Sequence, residues 1–339
     1  MKYSKKIFFV FIFLVFVMGG LFIFWTYSDD SKQKKLFNEY YKVFPIEVPK
    51  TSQFAGEKIP LEDYEVVERF DRELLLNTYW QSNTLLIMKR SKRWFPILEK
   101  ILKKNNIPDD FKYLCAVESG LINTVSPAGA TGFWQILETT GKELGLEIND
   151  EVDERYDPIR STEAAVRYLS TAYKLFGNWT EVAASYNIGM NGLRRAIQTQ
   201  KANSFYDLML NSETSRYLFR IFALKEILEN PLKYGFIVED KDLYPPIKTK
   251  IVTVDTTIND LAEFGKKFYI SYKYLKLNNP WLRKNKLSAK PNKKYKILIP
   301  GSQPQFSPYY DEWLDSLMTI TIDTSKTLPV GDSLPKISE

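Results

Sequence analysis

Histidine is absent from all 339 residues, and cysteine occurs once. Without an imidazole, no Ser-His-Asp triad, Cys-His dyad or H-E-x-x-H zinc site can be assembled. The single thiol, Cys115, allows neither an intramolecular disulfide nor a multi-cysteine metal site, and it reads as a small buried packing residue without a reactive role. No cofactor is expected. The charge excess is also small, 47 Lys and Arg against 41 Asp and Glu, for a net of +6. The basic residues are spread along the chain rather than clustered with aromatics, which argues against nucleic-acid binding.

What is present is a carboxylate in an unusual place. In IPDDFKYLCAVESG, Phe111, Leu114, Cys115 and Glu118 fall at spacings of three, four and seven, which puts all four on one helix face. That face is otherwise apolar and carries no Lys or Arg. Burial there raises a carboxyl pKa, as for a glutamate tuned to roughly 6 in a hydrophobic pocket. Glu118 is therefore the candidate proton donor, although an isolated Glu-Ser pair would more simply be an exposed helix end.

The residues that follow are SGLINTVSPAGATGFWQI. Gly120, Pro127, Gly129 and Gly132 stop the helix and predict a tight loop. The loop is expected to present Ser126, Thr131 and Gln135, short neutral groups that suit sugar oxygens. Further on, NWTEVAASYNIGMNGLRRA predicts a helix with Thr180 as N-cap, an inward stripe of Val182, Ala183 and Tyr186, and a break at Gly189 and Gly192.

The ordered blocks E-S, S-P-x-G-A-x-G-x-x-Q and S-Y-N-x-G resemble the lytic transglycosylase branch of the lysozyme superfamily, glycoside hydrolase family 23, over roughly residues 90–230. The resemblance implies a mainly α, lysozyme-like (α+β) catalytic domain in which Glu118 is both acid and base. It implies that Ser119 orders the turn after the helix and lies in the substrate site, that Ser126 contacts the sugar near the cleaved bond, and that Gln135 lines the groove. Tyr186 would hydrogen-bond the catalytic carboxylate, and Asn187 would hold the helix end at the substrate site. Phe133 and Trp134 depart from the commonest Leu-Met pair of that motif. Trp134, Tyr186 and Trp179 can also be read as core aromatics, and Trp179 is so assigned.

The activity implied is cleavage of peptidoglycan glycan strands between N-acetylmuramic acid and N-acetylglucosamine, leaving 1,6-anhydro ends. Two other readings remain. One is a hydrolytic muramidase using a second acid, and the other is a non-catalytic wall-binding scaffold. Most glycosidases use two carboxylates. The candidates here are Glu138, Asp153, Glu154 and Asp157, of which Asp157-Pro158 reads as a helix N-cap followed by proline at N1 and the others as solvated surface charge.

Lys2, Lys5 and Lys6 precede an uncharged apolar run over residues 7–25. As a helix at about 1.5 Å per residue it approaches the hydrocarbon thickness of a bilayer. No small-x-small cleavage site follows Gly19-Gly20, and no cysteine is available for lipidation. Residues 1–27 are therefore expected to be an uncleaved signal anchor in the cytoplasmic membrane, with the catalytic domain in the periplasm or outside; secretion after cleavage is the alternative. Residues 28–89 read as a tether with Pro45, Pro49 and Pro60 and an amphipathic helix in EVVERFDRELLLNTYW, expected to pack on the catalytic domain at 90–232. Residues 249–300 alternate strand, helix, helix, strand and resemble the βααβ LysM carbohydrate-binding module, with Asp255-Thr256-Thr257 in place of its usual Gly-Asp-Thr turn. Residues 301–339 read as a tail.

Overall fold

The computed structural model describes residues 43–301 and the single residue Met18. The expected anchor run apart from Met18, the first part of the tether at 28–42 and the tail after Gly301 lie outside the described residues. Among the described residues no helix is long and apolar enough to cross a membrane. The chain divides into two compact units, Met1–Ile46 and Glu47–Glu339, and the elements that carry the site all belong to the second.

In chain order these are a short hairpin, β1 (Gln53–Phe54) and β2 (Glu57–Lys58), then helices α1 (Tyr64–Tyr79), α2 (Gln81–Lys104), α3 (Phe111–Ser119) and α4 (Glu138–Glu143). Four more helices follow, α5 (Pro158–Phe176), α6 (Trp179–Ile188), α7 (Met190–Gln200) and α8 (Ser212–Glu229). The last group is β3 (Thr249–Val254), α9 (Leu261–Lys266), α10 (Tyr272–Asn278) and β4 (Tyr295–Pro300).

Helix α8 is the axis of the helical part. Its buried residues, among them Tyr217, Leu218, Ile221, Phe222 and Leu224, point to every side of it, as in a helix surrounded by others. It packs against α1, α3 and α6. The amphipathic α1 is capped by Asp63, which accepts from the Glu65 amide at 2.9 Å. It turns Val66, Phe70 and Leu74 inward, and its buried Glu73 pairs with Arg216 of α8 at 2.8 Å. The β1–β2 hairpin inserts Phe54 between Phe111 and Phe222. The expected boundary at 89/90 falls inside α2, which runs unbroken for 24 residues with Pro96 in its interior.

Two local expectations are corrected. The N-cap of α6 is Asn178, which accepts from the Glu181 amide at 2.9 Å; Thr180 lies inside the helix, bonded to Glu57 from the hairpin. Only Gly189, at φ 80°, ends α6, while Gly192 lies within α7. Asp157 is the N-cap of α5 with Pro158 at N1, as expected.

The last four elements form a βααβ unit. Strands β3 and β4 pair antiparallel from Thr249↔Pro300 to Val254↔Tyr295. Asp260 and Ser271 cap α9 and α10. Leu261, Leu275, Leu287 and Ile297 fill its core, together with Val152 from the helical part.

Candidate active site

Helix α3 is short because Gly120 follows it at φ 61°, the left-handed position that closes a helix and favours glycine. The Arg90 guanidinium holds the Gly120 carbonyl at 3.0 Å. Phe111, Leu114 and Cys115 are buried as their spacing predicts, and Glu118 ends the stripe half-buried. Desolvation lifts its carboxyl pKa to about 7. The Tyr217 hydroxyl, which donates to Glu118 Oε1, and the positive charge of Arg220 oppose that rise, while Glu213 adds to it. All three residues come from α8 and, at spacings of four and three, share one face of it. A carboxyl in this state is half protonated near neutrality, as a general acid requires.

The loop after α3 is braced from within. Gly129 and Gly132 take φ 81° and 82°, and Thr131 bridges to both Val125 and Ile136. Thr131 and Gln135, expected to be presented outward, are buried instead. Thr131 Oγ1 donates to the Gly129 carbonyl at 3.0 Å, and Gln135 Nε2 donates to the carbonyls of Gly132 and Thr124 at 2.8 and 3.2 Å. The physical reason is backbone demand, since a tight loop leaves carbonyls that need donors. Ser126 remains half-buried; its Oγ accepts from the Ala130 amide at 3.0 Å, which leaves the hydroxyl hydrogen free for a ligand. Phe133 and Trp134 point into the core, Phe133 edge-on to Trp94 and Trp134 bonded to Thr162 at 2.8 Å.

A glutamate with a raised pKa, its tyrosine partner and a glycine-braced loop are thus assembled on a helical scaffold followed by a βααβ unit. Residues 95–209 match the family described as Transglycosylase SLT domain, and residues 250–303 match the Soluble lytic transglycosylase C-terminal LysM-like domain. The chain carries an SLT domain and a LysM-like module. Over 191 residues it is 32% identical to Membrane-bound lytic murein transglycosylase D of Escherichia coli strain K12, an alignment covering 54% of this chain and 41% of that protein. It also aligns over 140 residues, at 29% identity, with a Putative tributyltin chloride resistance protein of Alteromonas sp. strain M-1, covering 39% of this chain and 68% of that one. The chain therefore spans about two fifths of the length of the Escherichia coli relative.

Within the SLT domain, Tyr186 does not hold the carboxylate as expected. Its hydroxyl donates to the Trp134 carbonyl at 2.8 Å, and a phenol has one hydrogen to give. Burial and the charge of Glu118 nonetheless push its pKa up, so the ring lies within electrostatic reach. Ser119 is buried and committed to its turn: it donates to the Cys115 carbonyl at 3.3 Å and accepts from the Leu121 amide at 3.2 Å, so it takes the turn-ordering role and does not face a ligand. Asn187 is half-buried in the last turn of α6, and no side-chain hydrogen bond to another described residue ties it to the helix end. Trp179 is half-buried and stacks on Tyr173, with centroids 4.1 Å apart, at the edge of the core rather than within it.

The proposed second acids are otherwise engaged. Glu138 is exposed and pairs with Lys142 at 2.6 Å. Asp153 and Glu154 are buried rather than solvated: Asp153 pairs with Arg155 at 2.7 Å, and Glu154 with Lys293 at 3.1 Å. Asp157 caps α5 through the amides of Ile159 and Arg160.

Tyr217 is the site residue that the sequence reading missed. Tyr217→Phe is expected to lower turnover roughly 10- to 100-fold, the value of one hydrogen bond to a charged group at about 1.5–3 kcal/mol, and to raise the basic limb of the pH profile because a bond that lowers the Glu118 pKa is lost. Tyr186→Phe, removing only a bond to a carbonyl, should cost turnover less. Steady-state pH profiles of both variants decide the assignment, and equal effects would overturn it.

Proposed function

We propose that this chain is a peptidoglycan lytic transglycosylase in which Glu118 serves in turn as acid and base. The observation that carries the reading is the Glu118–Tyr217 pair: a carboxyl raised to about 7 beside a loop whose Ser126 hydroxyl is free, within a matched SLT domain. Glu118 donates its proton to the oxygen bridging C1 of N-acetylmuramic acid and C4 of N-acetylglucosamine, and the C1–O bond breaks. The muramyl C6 hydroxyl oxygen then bonds to C1 while its proton passes to the Glu118 carboxylate. The enzyme is restored, a 1,6-anhydro end forms and no water is consumed. Enclosure of the carboxyl favours the internal hydroxyl over water by positioning it and excluding solvent.

Ser126 and Asn187 are the groups best placed to hold the glycan, since both keep side-chain hydrogen-bonding capacity. The substrate would place the protein in the cell envelope, with residues 1–27 as its tether to the membrane.

Digestion of purified wall in heavy-oxygen water tests the product. Muropeptides released by transglycosylation carry no label and are one water lighter at the new muramyl end. Predominant incorporation would make the enzyme a muramidase, and Glu213, the carboxylate that already acts on Glu118, would be the first candidate for its second acid.

A further inference from the structure

Behind the loop that follows Glu118 runs a segment at 147–157 whose bonds go in two directions. Toward the loop, the Arg155 guanidinium donates from Nη1 to the carbonyls of Gly129 and Ile136, both at 3.3 Å. Its Nε and Nη2 take the two oxygens of Asp153 at 3.0 and 2.7 Å. The Arg155 carbonyl lies so close to Gly132 that no side chain would fit there, and Asn123 Nδ2 donates to the Tyr156 carbonyl at 2.9 Å.

Toward the LysM-like module, Val152 bridges to Leu282. The Asp153 amide donates to the Trp281 carbonyl at 2.9 Å, and the Arg283 amide donates to the Glu151 carbonyl at 2.7 Å. The Val152 side chain is part of the module's own core. Glu151 takes Lys286 and the Ser288 amide, each at 2.8 Å, while Glu147 takes Lys290 and Lys293. The Arg283 guanidinium sits 3.8 Å over the Tyr156 ring.

A module that only held substrate on a tether would need none of this. Here the connection between α10 and β4 is committed to the helical part, and the segment it grips is the one whose Arg155 fastens Gly129 and Ile136 of the loop. We propose that the LysM-like module is a fixed buttress of the catalytic loop, and that Arg155 is the positioning residue through which its docking sets that loop. An arginine suits the role because its planar fork reaches a carboxylate and two carbonyls together, which a lysine ammonium cannot do with the same geometry.

The kinetic part of the proposal rests on the reading of Glu118 as the acid; the structural part does not. The test uses the full chain and two variants. In Glu147→Gln/Glu151→Gln, which removes charge pairing at the docked face, the loop amides of Ser126, Gly129, Thr131 and Ile136 should exchange hydrogen about tenfold faster or more, the scale set by losing charge-assisted contacts. Protection in α1 and α8 should stay unchanged. On peptidoglycan, kcat should fall about tenfold with KM within twofold. Arg155→Lys should loosen the same loop amides and lower kcat, while the amides of Ile258 and Leu287 inside the module keep their protection. If the double variant does not fold, Glu151→Gln alone takes its place.

Unchanged loop exchange in both variants overturns the proposal, and so does a raised KM at constant kcat, which would make the module a substrate holder. If the unaltered chain cleaves no glycan, the functional reading fails, and the exchange measurement still decides the buttress.

Discussion

Glu118→Gln is expected to lower glycan cleavage about 10²- to 10⁴-fold, the usual worth of a positioned acid-base group, and to leave the protein more stable than the unaltered chain at pH 8. The amide keeps the shape of the carboxyl but neither gives nor takes the proton. The stability effect has a definite sign. The folded carboxyl titrates at about 7, against about 4.3 in an unfolded chain. Below the lower value both states hold the proton and the residue carries no penalty. Between the two values the folded state holds more proton than the unfolded one, so stability falls as pH rises, and above 7 the loss is complete. At 1.36 kcal/mol per pKa unit the upper limit is about 3–4 kcal/mol, and partial solvent exposure reduces it to roughly 1–2 kcal/mol. Asp157, raised by burial to about 6, titrates in the same window but is common to both proteins, so the difference between their stability curves isolates Glu118. Substantial residual turnover, or curves that run parallel from pH 4 to 9, would remove Glu118 from the role.

Gly132→Ala should be the most damaging single methyl group in the loop. A Cβ there would sit 2.0 Å from the Arg155 carbonyl oxygen and 2.9 Å from its carbon, and the backbone is at φ 82°. The left-handed conformation costs about 1–2 kcal/mol for any side chain, and forcing atoms into a filled space adds about 1–3. Because the obstacle is backbone, it can yield only by moving Arg155 and the loop it fastens. A loss of about 3 kcal/mol or more is expected, with turnover falling alongside. Gly129→Ala is the control: its φ is 81°, yet nothing lies within 4 Å of the added atom, so only the conformational part, about 1–2 kcal/mol, applies. Equal losses in urea melts of the two variants would show that the Arg155 contact exerts no constraint.

Glu118 was legible because its stripe is short, otherwise apolar and closed by a glycine, all of which are local facts. Tyr217 was not, since the hydroxyl and its acceptor are 99 residues apart. A clue did exist: Glu213, Tyr217 and Arg220 mark one polar line on a helix whose remaining faces are mostly apolar, and such a line inside a core has to face something. Asp153 and Glu154 look like solvent-facing charge as a sequence, and the partner that makes burial of Glu154 tolerable, Lys293, arrives from the module 139 residues later. Thr131 and Gln135 carry the right chemistry for a sugar, but periodicity says nothing about which carbonyls a tight loop will leave in need of a donor. The βααβ order of the module was readable from its alternation; its docking against 147–157 was not, because the matching surfaces share no local pattern.

Cys115 is the only cysteine in the chain and lies one turn before Glu118. Its thiol is buried and donates to the Phe133 carbonyl at 3.5 Å, and desolvation together with the neighbouring carboxylate pushes its pKa well up. A thiol held this way reacts only when the surrounding structure opens. Alkylation of the native protein therefore counts excursions of the helix that carries Glu118, with a single thiol to report them. The molecule carries a built-in clock for the breathing of the structure around Glu118, readable by mass without any introduced label.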